Sequence, residues 1–441
     1  MMQKYIQLGK KMFPLCRSLT GKGTLETLKI LKLELKNLKI KKVKSGTKVF
    51  DWKVPDEWNI SEAYILDKYN KKIIDFKINN LHVVNYSHPV NLTLKKNQLL
   101  KKIYSIPELP KAIPYVASYY KKNWGFCENY LNKKKIKKKY YNSDKFKVII
   151  DSKFNREGCL NYGELLLKGQ SKKEILISTY VCHPSMANNE LSGPLVSVAI
   201  AKYFTKKKLN YSIRFLFIPE TIGSIAYIFK NLRNMKRNII GGYVLTCIGD
   251  DRRYSYLPSK YNNSISDLAV YEAFKELKIK YKKYSFLKRG SDERQYNSPG
   301  VDLPIGSIMR SKYGTYPEYH TSLDDFKLVT SKGLLGGYRV VKLAIKKLMK
   351  LTEKNLEKEI NSGYPLSKIL CEPHLSKRKL TSDISNLSGT DNKKFLRTDL
   401  LNFLQYADGS NSIKQISVYI KLSIVKTLRI RKICKTHRLI F

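Results

Sequence analysis

The residues best suited to chemistry in this chain stand at the ends of apolar runs. His183 follows the run EILISTYVC, Glu220 ends SIRFLFIPE, and Asp250 and Asp251 end IIGGYVLTCIGDD. His320 stands in the polar, turn-rich segment YPEYHTSLDD. The chain has only six histidines, and two of them fall in these places beside carboxylates. Either histidine alone is more often a satisfied structural residue than a ligand, and it is their joint occurrence that points to a site. Imidazole with carboxylate is the ligand set of a catalytic zinc that keeps one position open. A neighbouring carboxylate that does not bind the metal can take a proton from water.

Such residues need a framework that brings them together. FKVIIDS, EILISTYVCHP, SIRFLFIPE, IIGGYVLTCIGDD and LPIGSI read as strands, with a short one near 282–287. LSGPLVSVAIAKYF, TIGSIAYIFKNL and the stretches 265–277 and 332–350 read as helices between and after them. This alternation predicts an α/β fold, a mostly parallel or mixed sheet sandwiched by helices. In such sheets ligands bind at the carboxyl ends of the strands, where the residues above are placed. Residues 24–40 read as a further helix, from leucines every three or four positions. From 57 to about 150 short β-type runs and several prolines predict a small β-rich module. Its basic run, Leu131 to Lys147, reads as a solvated loop or strand edge. The tail reads as helix, Asp408-Gly409 turn, short helix and longer helix, a helix-turn-helix or winged-helix pattern.

Composition limits the alternatives. The 441 residues suffice for two or three domains. Lys and Arg number 84 against 36 Asp and Glu, a net charge of +48, which would attract nucleic acid. The lysines are spread along the chain rather than gathered in one arm, so composition drift is preferred to dedicated nucleic-acid binding. The seven cysteines form no CxxC pair, which fits free thiols in a reducing cytoplasm. No uninterrupted apolar window spans a membrane and no signal peptide is visible, so a cytoplasmic chain without membrane contact is expected.

Five segments carry a resemblance: CHPSMANNELSGP, FLFIPETIGSIAYI, GDDRRYSYLP, RGSDERQYNSPGVDLP and YPEYHTSLDD. Together they resemble the bacterial aminopeptidase-like zinc peptidases, distant relatives of the two-zinc aminopeptidases, often encoded with polysaccharide genes. RSLTGKG, VPDEWNI, IPYVASYYKKNWGFC and the tail extend the resemblance over almost the whole chain. It implies a peptidase-like unit split into 1–56 and 153–355, an inserted β-rich domain at 57–152 and a winged-helix-like domain at 366–441. It implies His183, Asp250 (with Asp251 as the alternative) and His320 as metal ligands and Glu220 as general base. The bridging aspartate of the relatives falls on Asn189, a poor bridging ligand. Glu190 beside it would point elsewhere unless the loop shifts. Thr221 stands where the two-zinc enzymes have a second glutamate, so one zinc per chain is expected.

Supporting roles stay open between alternatives. Asp292, Glu293 and Arg294 either orient ligands and bind substrate or form a salt-bridged loop. Tyr319 and Asp324 flank His320, and Asp324 either bonds its ring or caps the following helix. Cys182 reads as a buried thiol. The expected function is zinc-dependent hydrolysis of a short peptide or amide. A catalytically silent binding protein, on account of Asn189, and a nucleic-acid binder acting through the tail are the other readings. Self-association of the chain is left open.

Overall fold

Alternation along three strands builds the centre of the molecule. In Ser171–Tyr180, Ile175 and Ile177 face one side of the sheet and Leu176 and Tyr180 the other. In Tyr211–Ile218, Ile213, Phe215 and Phe217 oppose Leu216 and Ile218 in the same way. In Ile239–Leu245, Tyr243 and Leu245 oppose Val244. With both faces apolar, each strand must be covered twice. The helices Gln3–Met12, Ser192–Thr205, Ile265–Glu276 and Ser331–Leu351 pack on one face and Ile222–Asn238 on the other.

The computed structural model describes residues 2–352, 365–378, 380 and 393–441. Its main sheet has eight strands: β1 (Lys39–Lys44), β2 (Cys159–Leu167), β3 (Ser171–Tyr180), β4 (Tyr211–Ile218), β5 (Ile239–Leu245), β6 (Ser255–Leu257), β7 (Lys282–Lys283) and β8 (Ile305–Met309). They lie in the order β1-β2-β4-β3-β5-β8-β6-β7. The inner run β4-β3-β5-β8 is parallel, and β1, β2 and β6 pair antiparallel outside it. The carboxyl ends of β3, β4 and β5 therefore open on one edge and carry His183, Glu220 and Asp250 to it. Gly193 lets the following helix approach that edge, since a Cβ there would lie 2.2 Å from Thr179 Oγ1 and 2.3 Å from the Leu245 carbonyl oxygen.

Several sequence expectations change. The helix expected over 24–40 is Lys22–Glu34, and Leu38 is buried just ahead of β1. A leucine period cannot by itself separate a helix from the strand that follows it. The basic run at 131–147 is neither loop nor edge in its first half. It forms the helix Tyr130–Lys139, capped by the Asn129 side chain and buried only at Ile136. The strand near 282–287 shrinks to two residues and a 3-10 turn at Phe286–Lys288. The span 57–155 holds a four-stranded antiparallel sheet in the order 72–75, 57–66, 145–155, 90–95. The junction drawn at 355 lies outside the described residues.

The tail holds the helices Lys393–Tyr406, Ile413–Tyr419 and Ile424–Thr436. Leu400, Phe403, Leu404 and Ile416 join one buried cluster with Cys247, Leu257 and Met309 of the α/β unit. A strap at 372–378 ties the tail across residues 51–53. Trp52 Nε1 donates to the Glu372 carbonyl at 2.8 Å, and the His374 N–H and Lys377 Nζ donate to the Asp51 carboxylate at 2.7 and 2.9 Å. Arg378 grips the same carboxylate with two nitrogens. No helix among the described residues is long and apolar enough to cross a membrane.

Burial works against the Asp51 charge, but the hydrogen bonds from Arg378, Lys377 and His374 hold its carboxyl below the usual value. A lowered pKa adds stability above the unfolded value, about 3.9, and that share fades as pH falls through the folded value. Asp51→Asn is expected to cost about 2 kcal/mol at pH 7. In urea unfolding the deficit should shrink steadily as both proteins are acidified below about pH 4.

Candidate functional site

The segment after β3 decides what the site contains. Ala187–Leu191 is a single π-helical turn leading into the helix Ser192–Thr205. One carboxylate holds it. Asp324 accepts the backbone N–H of Ala187 at 3.2 Å, of Asn188 at 2.5 Å and of Asn189 at 2.8 Å. Asp324 therefore takes neither role expected of it. It bonds backbone rather than the His320 ring, and it is fully buried rather than capping the helix at Ser331. Burial pushes its carboxyl up to about 7 despite those donors.

The π-turn adds a residue and turns Glu190 inward. The Glu190 carboxylate lies 2.8 Å from His183 Nδ1. This overturns the expectation that Glu190 points away, for the loop shift it required is present. Asn189 is turned aside, and its amide nitrogen donates to Tyr180 Oη at 3.2 Å. Arg17, from the RSLTGKG loop, is fully buried beside the pair. Its Nε donates to the His183 carbonyl at 2.9 Å and lies 3.8 Å from Glu190 Oε1. Burial opposes a charged His183, but the hydrogen bond and charge of Glu190 outweigh it and raise the imidazole pKa.

On its other side, His183 Nε2 lies 3.7 Å from Glu220 Oε2. Glu220 Oε1 accepts the Ser291 hydroxyl at 2.7 Å, and the Glu220 N–H donates to Cys182 Sγ at 3.2 Å. Burial raises the Glu220 carboxyl, against the opposing charges of His183 and Arg294. The next residue, Thr221, has φ 65° and ψ −80°, a strained conformation for a β-branched residue. It is pinned there. Its N–H donates to Asp292 Oδ1 at 2.7 Å and its Oγ1 accepts from Arg294 at 2.7 Å. Asp292 also accepts the Ser224 hydroxyl at 2.8 Å, and burial, then the nearby Glu220 charge, push it up to about 7. Asp292 and Arg294 thus position Glu220 through the backbone, while Glu293 accepts the N–H groups of its own loop at Gly290 and Ser291.

His320 comes close to His183, with ring centroids 5.3 Å apart, and its backbone φ is 57°. Tyr319 stacks on it at 3.9 Å, and Tyr115 of the inserted region stands edge-on to both histidines at 5.3 and 5.2 Å. Burial, then the charge of His183, hold the His320 pKa well below its ordinary value, so it is a neutral imidazole. Asp250 does not join them. Its carboxylate accepts from Asn188 Nδ2 at 3.0 Å, Ser311 N at 2.9 Å, Ser311 Oγ at 2.8 Å and Arg252 N at 3.1 Å. These donors fill the lone-pair directions a metal would need. Asp251, the alternative, accepts Thr330 Oγ1 at the surface.

The ligand set expected from sequence, His183, Asn189, Asp250 and His320, is therefore not what converges. Among the described residues, one group of three possible ligands falls within 4.8 Å: Cys182, His183 and Glu190, all buried. Sulfur, imidazole and carboxylate are donors that zinc accepts. Glu190 Oε1 also has no hydrogen-bond partner although it is buried. By donor chemistry and by this unpartnered oxygen, the group fits a single ion. The sequence pattern singles out Glu190 and Cys182 without giving them a role, because a π-turn leaves no signal in residue spacing. Arg17 is visible there only as part of a glycine loop.

The cavity in front of these residues has a volume of about 290 Å³ and is walled by distant segments of the chain, among them those of Trp52, Tyr119, His374 and Arg397. Residues 6–354 match the family model described as a domain of unknown function, DUF4910, and residues 364–441 match a winged helix-turn-helix model. A Clostridium acetobutylicum protein, provisionally named for polysaccharide biosynthesis and an aminopeptidase-like domain, is 41% identical over 92% of this chain and 89% of its own. A crystal structure from C. acetobutylicum, of a protein provisionally named a peptidase, superposes with a TM-score of 0.75 at 36% identity, covering 100% of this chain and 96% of that one. A zinc aminopeptidase from Bacillus subtilis shares the fold at TM-score 0.58 and 12% identity, covering 80% of this chain and 95% of that one.

Removing Glu190 should leave Arg17 as an unpaired buried charge. Glu190→Ala is expected to lose about 3–5 kcal/mol in urea unfolding. A loss within the range of surface substitutions, about 0.5 kcal/mol, would show that Arg17 does not depend on Glu190.

Proposed function

The chain belongs to the DUF4910 family with an appended winged helix, and on that footing we propose that it is a zinc-dependent hydrolase of a short peptide or amide, with Glu220 as general base. The observation that carries this reading is Glu220, half-buried in the cavity wall with one oxygen held by Ser291 and the other 3.7 Å from His183 Nε2. Cys182, His183 and Glu190 are the residues that would hold the ion, at the ring nitrogen of His183 opposite the one that faces Glu220. A zinc bound there would add positive charge behind the imidazole and lower the pKa of water in the cavity.

The remaining steps belong to the chain's own side chains. Ser291 occupies Oε1, so Oε2 is the atom left to take a proton from water and return it to the leaving amine. The raised pKa of Glu220 brings it nearer the working pH of a base. Thr221, Asp292 and Arg294 fix the backbone that carries it. Tyr115 and Tyr319 pack against the two imidazoles and fix their ring planes. A second reading, a binding protein without catalysis, draws on Arg17, whose buried cation already balances Glu190.

Turnover decides between the two. The zinc-supplied protein should hydrolyse small aminoacyl amides or dipeptides, and Glu220→Gln should lower kcat by about 10²–10⁴-fold. Retained turnover in that variant removes Glu220 from the role of base. Ser291→Ala should lower kcat by a smaller factor, about tenfold, with KM little changed.

A further inference from the structure

The cavity has a second wall, which shares only Arg294 with the hydrolytic groups. Part of it is aromatic. The rings of Trp52 and His374 stack at 4.4 Å and 8°, and Tyr120 leans on both at 5.6 and 4.9 Å. The rest is cationic. Arg289 and Arg294 share Glu372, at 2.9 and 3.6 Å, and Arg397 has Arg294 and Glu372 as charged neighbours. Three guanidinium groups thus meet one glutamate of the strap.

Hydrogen bonding points the same way. Gln295 accepts the Glu372 N–H on its Oε1 at 2.9 Å, which fixes its Nε2 as a donor. That Nε2 and Arg294 Nε are buried donors without a hydrogen-bond partner, and both side chains line the cavity. Arg397 reaches the cavity from the exposed side of the helix Lys393–Tyr406. Carboxylates already surround Arg294, so it is the unpartnered donors beside Arg397 that call for an acceptor, and guanidinium groups match a planar carboxylate. The volume, about 290 Å³, is at the small end of ligand sites, the scale of a dipeptide rather than a long chain.

We propose that this wall binds the free carboxylate of a dipeptide-sized substrate, with Arg294 and Arg397 as the clamp and Trp52, Tyr120 and His374 as the seat of the adjoining side chain. The identity of the reacting end rests on the hydrolase reading above; the carboxylate wall does not. It also gives the tail a task, because Arg397 and His374 belong to it.

The test is calorimetric binding of glycyl-phenylalanine and of glycyl-phenylalanine amide to full-length Glu220→Gln protein, which holds the ligand uncleaved. The acid should bind at least about tenfold more tightly than the amide. Arg397→Ala, at an exposed position that should not disturb folding, should erase the preference, and Arg397→Lys should keep part of it. Equal affinities, no binding of either ligand, or an unchanged preference in Arg397→Ala would overturn the proposal. Turnover of both compounds by the unmutated protein separates the two readings. A binding preference without cleavage retains the carboxylate wall and rejects the hydrolase, and cleavage of both at equal kcat/KM does the reverse.

Discussion

The site depends on one buried carboxylate. Asp324 gathers three successive backbone N–H groups, those of Ala187, Asn188 and Asn189. A π-turn is costly on its own, and few side chains can satisfy the donors it exposes. With Asp324 in place, the turn reaches the helix Ser192–Thr205 one residue out of α-helical phase. That phase decides the chemistry. It sends Asn188 to Asp250, Asn189 to Tyr180 and Glu190 to His183. The negative charge at the imidazole thus comes from position 190, next to the neutral amide at 189.

The other elements hold this arrangement from separate directions. Arg17 enters from the first glycine loop and balances Glu190 in a place water does not reach. Asp292 and Arg294 hold Thr221 in a conformation costing about 1–3 kcal/mol, and so aim Glu220. Tyr115 arrives from the inserted region, its N–H on the His320 carbonyl at 2.8 Å. The strap of the tail completes the rim. A cleft built from four distant stretches of chain is rigid only when all are docked, so the shared core between tail and sheet matters to the site as well as to stability.

Much of this architecture is legible in the amino-acid sequence. Apolar runs that end in His183, Glu220 and Asp250 reveal the parallel sheet, because strands buried on both faces leave continuous β-branched and aromatic sequence. The same runs place the reactive residues on one edge. What stays hidden has physical causes. Asp250 sits at the right strand end but is consumed by Ser311 and Asn188, neighbours brought by distant segments. Glu190 is legible only as a neighbour of Asn189, since residue spacing assumes an α-helical step. The basic helix Tyr130–Lys139 reads as loop because a helix that buries one residue carries almost no apolar period. The part the tail takes in the cavity is a tertiary contact with no local signature.

On the proposed reading Glu190, placed by the π-turn, would supply the negative charge through which His183 and Cys182 hold a metal. The most direct test of that role is zinc per chain by elemental analysis after dialysis against a trace of zinc. It is measured on the unmutated protein and on Glu190→Gln, which keeps the shape of the side chain and removes its charge. The account predicts about one zinc per chain in the former and a near-complete loss in the latter. Zinc retained by Glu190→Gln, or absent from the unmutated protein, would contradict it.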